Sequence, residues 1–204
     1  MAWEALTAGQ QRALRALGDL GMRGAAQALS HLLGETPALA VSSVELVPLA
    51  AAAGLVDRDG GLVAGVAFRL YGGTTGRFVV LFPREAALAL VAALSGRAVG
   101  DLPALTEGDL SILKEVGNIL GAAYVSALAN RLEVTIIPSI PHLVLDRAEA
   151  VLAATLSLNG AGDAGRALLV TRFADATRGV RGTMVLLPGR KVIEVLGDRR
   201  EATG

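Results

Sequence analysis

One segment of the sequence decides the fold because it occurs twice. Residues 14–34 read LRALGDLGMRGAAQALSHLLG, and residues 113–133 read LKEVGNILGAAYVSALANRLE. The two segments align without a gap, and a run rich in Val or Ile follows each, at residues 40–47 and 134–137. The identical positions are Leu14, Gly18, Ala28, Leu29 and Leu33, which match Leu113, Gly117, Ala127, Leu128 and Leu132. Such self-similarity is typical of repeated architectures. We therefore expect a single, internally duplicated, pseudo-two-fold domain over residues 1–204, with repeats over about 9–100 and 106–197.

Periodicity predicts that this domain is of the α+β (mixed α/β) class, with two long helices and antiparallel β hairpins. Helical spacing covers residues 9–33 and residues 107–132. Gly34 follows the first of these segments and is expected to be its C-cap. Thr106, with Asp109 three residues later, predicts the start of the second helix.

The remaining elements follow from alternation and turn residues. One hairpin is expected from residues 62–70 and 77–82, and another from residues 166–173 and 180–187. We expect a helix from Pro83 to Leu94, strands near 134–137 and 151–158, a short helix over 190–196 and a frayed tail at 197–204.

The composition excludes several classes of function. The 204 residues carry 19 basic and 19 acidic side chains, and zero net charge argues against nucleic-acid binding, which needs a concentrated positive field. The chain has no cysteine, and its histidines are His31 and His142, so thiolate chemistry and a three-histidine metal site are excluded.

The apolar composition raises the question of a membrane. The mean hydropathy is +0.52, but the longest uninterrupted apolar stretches fall short of the roughly 18 residues that a spanning helix needs. The amino terminus lacks the basic-then-apolar pattern of a signal peptide. We therefore expect no membrane partner and a cytoplasmic location.

A line of polar residues runs along the second long helix. Ser111, Glu115 and Asn118 fall within roughly 60° of arc at about 100° per residue. Gly117 and Gly121 flank this line, and glycine inside a helix costs about 1 kcal/mol relative to alanine. Their presence suggests that something approaches the backbone closely. Two interpretations stay open: a solvated helix face, or a site that offers a carboxylate and a carboxamide to orient water and bind a cation.

The spacing Ser111-x3-Glu115-x2-Asn118, followed farther on by Pro141, resembles the signature of the CheC/CheX/FliY family. The words LKEVGNILGAAYVSAL and IIPSIPHLVLD are also similar to CheC, and the likeness covers nearly the whole chain. Members of this family are phosphatases of chemotaxis that act on the phosphorylated response regulator CheY.

The resemblance implies a role for each signature residue. Asn118 would enter the active site of the partner and orient the attacking water, and Glu115 would contact a lysine of the partner near the phosphoryl group. Ser111 would support the helix face or touch the partner, and Pro141 would shape its loop. The Mg²⁺ would be supplied by the phosphorylated partner, so the chain itself would need neither a metal nor another cofactor.

The first repeat departs from this signature. The positions that match Ser111, Glu115, Asn118 and Pro141 are Arg12, Ala16, Asp19 and Ser42. Alanine offers no polar group, and a carboxylate at residue 19 would repel a dianionic phosphoryl group. We therefore expect a degenerate site in the first half and one working site in the second.

The resemblance also names a second candidate partner, the receptor deamidase CheD. In CheC proteins, a short helix in the region of Asp146 binds CheD. The resemblance therefore makes Asp146 and the residues up to Val151 a candidate docking surface. The alternative to a phosphatase is a weakly catalytic or non-catalytic adaptor that binds CheD, CheY or both. A third possibility is a domain that acts on a response regulator outside chemotaxis.

Since the duplication would supply both halves in one chain, we expect a monomer.

Overall fold

The computed structural model describes residues 6–34, 40–56, 61–98, 104–156, 167–175, 178–189, 191–192 and 194. Five helices and seven strands lie within these ranges. In chain order they are α1 (Ala8–Leu33), β1 (Ala40–Pro48), α2 (Leu49–Val56), β2 (Leu62–Gly72), β3 (Gly76–Pro83), α3 (Arg84–Ser95), α4 (Glu107–Leu132), β4 (Ile136–Pro138), β5 (His142–Arg147), α5 (Ala148–Leu156), β6 (Ala167–Asp175) and β7 (Val180–Pro188). The predicted α+β class with antiparallel hairpins is confirmed.

A single sheet of seven strands forms the centre of the molecule. Its order is β1-β6-β7-β3-β2-β4, with β5 also paired to β2, and every pairing is antiparallel. The order is symmetric: β6, β7 and β1 occupy one half as β2, β3 and β5 occupy the other. The helix, strand, helix, hairpin order likewise occurs twice along the chain. The evolutionary duplication and the repeat boundaries stay predictions.

The two long helices begin with the same local device. Thr7 accepts a hydrogen bond from the backbone N–H of Gln10, whose side chain caps Thr7 in return. Thr106 and Asp109 form the same capping box at the start of α4. Such a box satisfies two backbone donors that the first turn leaves unpaired, so both helix starts are fixed locally.

The helices divide between the two faces of the sheet. The long helices α1 and α4 pack against each other and, with α3, cover one face. Tyr124 of α4 is fully buried, lies against Gly21 of α1, and stacks on Phe78 with ring centroids 4.8 Å apart. The short helices α2 and α5 cover the other face through a second apolar cluster that includes Val63 and Val151.

One predicted strand is wrong. Residues 151–156 belong to helix α5, and residues 157 and 158 lie outside the described residues. The buried positions Ala148, Val151, Leu152 and Thr155 recur at helical spacing, which is the period that decides such a segment. Helix α2 was not predicted. The strand predicted at 134–137 lies slightly later, at Ile136–Pro138.

The last predicted elements lie largely outside the described residues. In the predicted helix 190–196, the structure describes Lys191, Val192 and Glu194, and these residues are helical. The other residues of that helix and the tail 197–204 lie outside the described residues.

Among the described residues, α4 alone is long and apolar enough by composition to cross a membrane. About 44% of its most apolar stretch is buried inside the protein. Its buried face packs on α1 and on the sheet, which is how the core helix of a globular domain is placed.

Candidate functional site

The polar line of α4 lies on the outer surface of the molecule. Ser111 and Glu115 are exposed, and Asn118 is half-buried. The Ser111 hydroxyl donates a hydrogen bond to the carbonyl oxygen of Glu107 at 3.0 Å. Within the described ranges, the Glu115 and Asn118 side chains make no hydrogen bond or ion pair. A carboxylate and a carboxamide are therefore presented side by side with their polar atoms available.

The opposite face of α4 is held directly on the sheet by its glycines. A Cβ on Gly117 would lie 2.5 Å from Cγ2 of Val66, and a Cβ on Gly121 would lie 2.9 Å from Cε2 of Phe68. The expectation that something approaches the helix backbone is met by strand β2, on the buried side. The glycines therefore fix the depth and rotation of α4, and so the direction of the polar line.

The amino end of α4 is fixed by a buried carboxylate. Asp109 is 2% exposed, accepts hydrogen bonds from the backbone N–H of Thr106 at 2.9 Å and from its hydroxyl at 2.8 Å, and forms an ion pair with Arg97. The backbone hydrogen bond from Thr106, followed by the Arg97 guanidinium, lowers the pKa of Asp109 from 3.8 to about 2. This anchor lies two residues before Ser111. The sequence pointed to the capping pair but gave no sign of Arg97, because that contact joins α4 to the segment after α3.

Strand β5 borders the same surface. Leu143 and Leu145 lie directly opposite Val66 and Ala64 of β2, and opposed residues of an antiparallel pair share a face of the sheet. They therefore lie on the α4 side, because Val66 contacts Gly117. Leu145 is 44% exposed; it belongs to the CheC-like word IIPSIPHLVLD, but the sequence assigned it no role of its own.

Pro141 is half-buried and immediately precedes β5, which contacts α4. Strand β5, which begins directly after Pro141, therefore lies against the helix that carries Ser111, Glu115 and Asn118. A polar line with an apolar border is an arrangement suited to a protein partner.

The corresponding positions of α1 have the same exposure but different chemistry. Arg12 and Ala16 are exposed, and Asp19 is half-buried. Ser42 lies in β1, and its side chain is outside the described part of the structure. The first-half surface therefore presents a cation, a methyl group and a carboxylate at the places where α4 presents a hydroxyl, a carboxylate and a carboxamide.

Asp146 lies on the other side of the sheet from the polar line. It is exposed, stands opposite Val63 of the α5-side cluster, and accepts a hydrogen bond from the backbone N–H of Arg147 at 2.7 Å. Helix α5 begins two residues later. The candidate surface for a second partner is thus separated from α4 by the thickness of the sheet.

The donor set limits what the α4 surface can do. Among the described residues, no group of three or more histidine, aspartate or glutamate side chains is placed to hold a metal ion. The polar line offers no thiol and no histidine. It can orient a water molecule through the carboxamide and pair with a cation through the carboxylate, which suits the hydrolysis of an already activated bond.

Two sequence comparisons match this chain to CheC proteins. The model of the CheC-like family matches residues 109–145, the stretch that carries the polar line and Pro141. The chain is 32% identical over 149 residues to the CheY-P phosphatase CheC of Bacillus subtilis strain 168, covering 71% of this chain and 70% of that protein.

Solved structures share the fold. The FliY structure of Thermotoga maritima superposes with a TM-score of 0.72 at 17% identity, over 95% of this chain and 96% of that one. The CheX of Borrelia burgdorferi, solved as a CheX–CheY–BeF3–Mg²⁺ complex, superposes with a TM-score of 0.56 at 15% identity, over 84% of this chain and 97% of that one.

Proposed function

The chain belongs to the CheC-like family, and on that basis we propose that it is a phosphatase that hydrolyses the aspartyl phosphate of a CheY-like response regulator. The observation that carries the proposal is the presentation of Glu115 and Asn118 on the outer face of a helix whose inner face is held against the sheet. The relative in Bacillus subtilis is named a CheY-P phosphatase, which supports the same substrate class.

In the proposed reaction, a water molecule attacks the phosphorus, the bond from phosphorus to the aspartyl oxygen breaks, and inorganic phosphate leaves. The acyl phosphate is already activated, so placing the water accounts for most of the help that a second protein can give. Asn118 performs this step because its carboxamide can both accept from and donate to water without adding charge beside the phosphoryl oxygens.

Glu115 lies on the same face of α4 and would bind the partner protein, whereas Asn118 would orient the water. Its carboxylate would pair with a lysine of the partner near the phosphoryl group, which fixes the orientation of the two proteins. The Mg²⁺ would enter with the phosphorylated partner, and the Borrelia CheX structure was solved with CheY, BeF3 and Mg²⁺ together. No residue of this chain is assigned to that ion.

The remaining signature residues act through position. The Ser111 hydroxyl donates a hydrogen bond to the carbonyl oxygen of Glu107, at the amino-terminal end of the polar line. Pro141 fixes the backbone before β5, since its ring restricts φ. The exposed Leu145 would supply apolar contact area beside the polar line.

The first half is assigned no catalysis. Ala16 has no group for a partner lysine, and the Asp19 carboxylate would meet the phosphoryl oxygens with charge repulsion. This assignment predicts one catalytic surface per chain, on α4.

The adaptor alternative uses the same partner surface without the chemical step, or uses the surface around Asp146 for CheD. The exposed carboxylate and the helix that follows it are compatible with such docking. Binding of CheD, a monomeric state and a cytoplasmic location stay predictions.

The decisive experiment measures the decay of a phosphorylated CheY-like regulator with the wild-type chain, with the Glu115→Ala/Asn118→Ala variant and with Asp19→Ala as the matched control. We expect faster decay with the wild-type chain and the control, and spontaneous decay with the double variant. Each variant should unfold at the wild-type temperature, because all three side chains reach the surface.

Acceleration that persists in the double variant would refute the site. No acceleration by the wild-type chain, with regulator binding retained, would favour the adaptor.

A further inference from the structure

A pocket of about 490 Å³ opens on the side of the sheet that faces away from the polar line of α4. Strands β2 and β5 form its floor and helix α5 forms one wall, through Ala67, Val144 and Thr155 among others. Ala67 and Val144 pack against the α5-side cluster. A concave, mostly apolar pocket of this volume with a few polar groups is the usual form of a small-molecule site.

The first half of the molecule has different residues at the positions that line the pocket. The alignment that places Leu14 over Leu113 also places Ser43 over His142. The strand partner of Ser43 is Arg172, whereas the strand partner of His142 is Ala67.

The side chain of Arg172 is paired within the first half. Its guanidinium donates to Ser43 at 2.8 Å and to Glu45 at 2.7 Å. In the second half a methyl group stands at the matching place, and His142 and Val144 stand where Ser43 and Glu45 would be. At the register position where the pocket has Ala67, the first half thus carries an arginine that is paired within the protein.

The pocket carries a buried hydroxyl group that the rest of the described chain does not use. The Thr155 hydroxyl is buried, its residue being 6% exposed, and it has no hydrogen-bond partner among the described residues. The same alignment places apolar Val56 at this position in the first half. A buried hydroxyl without a partner costs about 1–3 kcal/mol, so a ligand that accepts its proton would remove a penalty.

Two guanidinium groups line the pocket. Arg69 and Arg77 lie directly opposite each other on β2 and β3 and both line the pocket. Within the described residues, the Arg69 guanidinium makes no hydrogen bond or ion pair. The described lining residues include no carboxylate, and His142 adds a ring nitrogen.

We propose that this pocket binds a small organic anion, with a carboxylate or phosphate group at Arg69 and an apolar body between Ala67, Val144 and Thr155. Arginine binds both anions through paired N–H donors, and the apolar lining requires a hydrophobic remainder. Val66 and Phe68 of β2 contact Gly117 and Gly121 of α4, and Phe68 also borders the pocket. An occupant would therefore sit behind the proposed catalytic surface.

The test is calorimetric titration of the full chain with phenylphosphonate, benzoate, inorganic phosphate and benzyl alcohol. We expect at least one of the two aromatic anions to bind at least tenfold more tightly than phosphate or the neutral alcohol. Arg69→Gln should weaken that binding at least tenfold, and Thr155→Val should weaken it several-fold without loss of stability. Arg12→Gln, which removes an exposed arginine on α1, should leave it unchanged.

Equal affinity for benzyl alcohol, equal affinity in Arg69→Gln, or no binding of either aromatic anion would each overturn the proposal. The preference between phenylphosphonate and benzoate assigns the head group. Because no response regulator takes part, failure here leaves the proposed phosphatase untouched, and loss of phosphatase activity leaves this result unchanged.

Discussion

Helices α1 and α4 are built alike and differ in what they present. Each has 26 residues, begins with a threonine capping box and ends with a residue in the left-handed conformation, Gly34 or Glu133. The matched leucines Leu14 and Leu113 are both fully buried. The residues that place each helix on the sheet are thus conserved between the halves in kind, if not always in identity.

The outer faces show the contrast. Arg12, Ala16 and Asp19 have the same degree of exposure as Ser111, Glu115 and Asn118, position by position. Exposure and backbone placement therefore do not distinguish the halves, and only the side-chain chemistry does. The comparison teaches that sharing the fold leaves open which half acts, and that one carboxamide in place of one carboxylate is the difference to test.

The largest effect is expected from making α4 resemble α1 at that position. Asn118→Asp puts a carboxylate where the phosphoryl oxygens must approach, and we expect at least a 100-fold loss of phosphatase activity, the scale of losing a well-placed polar group. Decay of the phosphorylated regulator measures it.

The reverse change, Asp19→Asn, is the control. We expect no gain, because Ala16 still offers no carboxylate. Activity that appears in Asp19→Asn on an Asn118→Asp background would show that the first half needs only its amide, contrary to the single-site assignment.

The next effect concerns how each helix is seated. Gly117→Ala forces a methyl group to within 2.5 Å of the stiff side chain of Val66, and overpacking of this kind costs about 1–3 kcal/mol. Better helix propensity offsets up to about 1 kcal/mol of this. Urea unfolding should therefore show a net loss of about 1–2 kcal/mol.

Two other glycines rank the effect. Gly18→Ala meets Cγ1 of Val44 at 2.7 Å and should cost less, since that neighbour lies on the edge strand β1. Gly108→Ala meets only the Thr106 hydroxyl at 3.8 Å and should be neutral or stabilising. Equal stability of all three variants would mean that the glycines do not set the height of the helices.

Much of the fold was predictable because it is encoded locally. Helical spacing over residues 107–132 predicted α4, and Thr106 with Asp109 predicted its start. Helix α5 was misread because its short run of apolar residues also fits a strand, and length is the weak arbiter in such cases.

The site divides in the same way. The polar line follows from spacing within one helix and could be predicted. Its support could not: Arg97 reaches Asp109, and Val66 reaches Gly117, only after the chain has folded. The pocket depends on strand register, which sets Ala67 opposite His142 and Arg172 opposite Ser43.

A smaller effect is expected on the pH dependence of the unfolding free energy, because one of the two capping boxes is charged and the other is neutral. The α1 box uses neutral Gln10, whereas the α4 box uses Asp109, whose pKa is lowered from 3.8 to about 2. A lowered carboxyl pKa adds stability that is fully present above the unfolded value and is lost as the pH falls from about 4 to about 2. The difference in unfolding free energy between wild type and Asp109→Asn should therefore shrink over that interval.

Urea unfolding at several pH values between 6 and 2.5 measures this difference. For Gln10→Ala the difference from wild type should stay constant with pH. A difference for Asp109→Asn that is equally constant would mean that Asp109 is not held by the Thr106 N–H and Arg97 as the structure has them.

The smallest effect lies at the ends of the two helices. Gly34 and Glu133 occupy matched positions with φ of 71° and 56°, and Glu133 is the one non-glycine residue with positive φ in the described part of the chain. A side chain in this conformation costs about 1 kcal/mol relative to glycine. The backbone N–H of Glu133 donates to the carbonyl oxygens of Ala129 and Asn130, and glycine would keep that hydrogen bonding.

We therefore expect Glu133→Gly to raise the unfolding free energy by about 0.5–1 kcal/mol and Gly34→Ala to lower it by about as much. Glu133→Ala is the control, because it removes the carboxylate but keeps the Cβ, so the backbone contribution is the difference between the Gly and Ala variants. If that difference is zero, the left-handed residue is not strained. If it is positive, the two halves differ in stability at this point because only the first has the residue that the conformation favours.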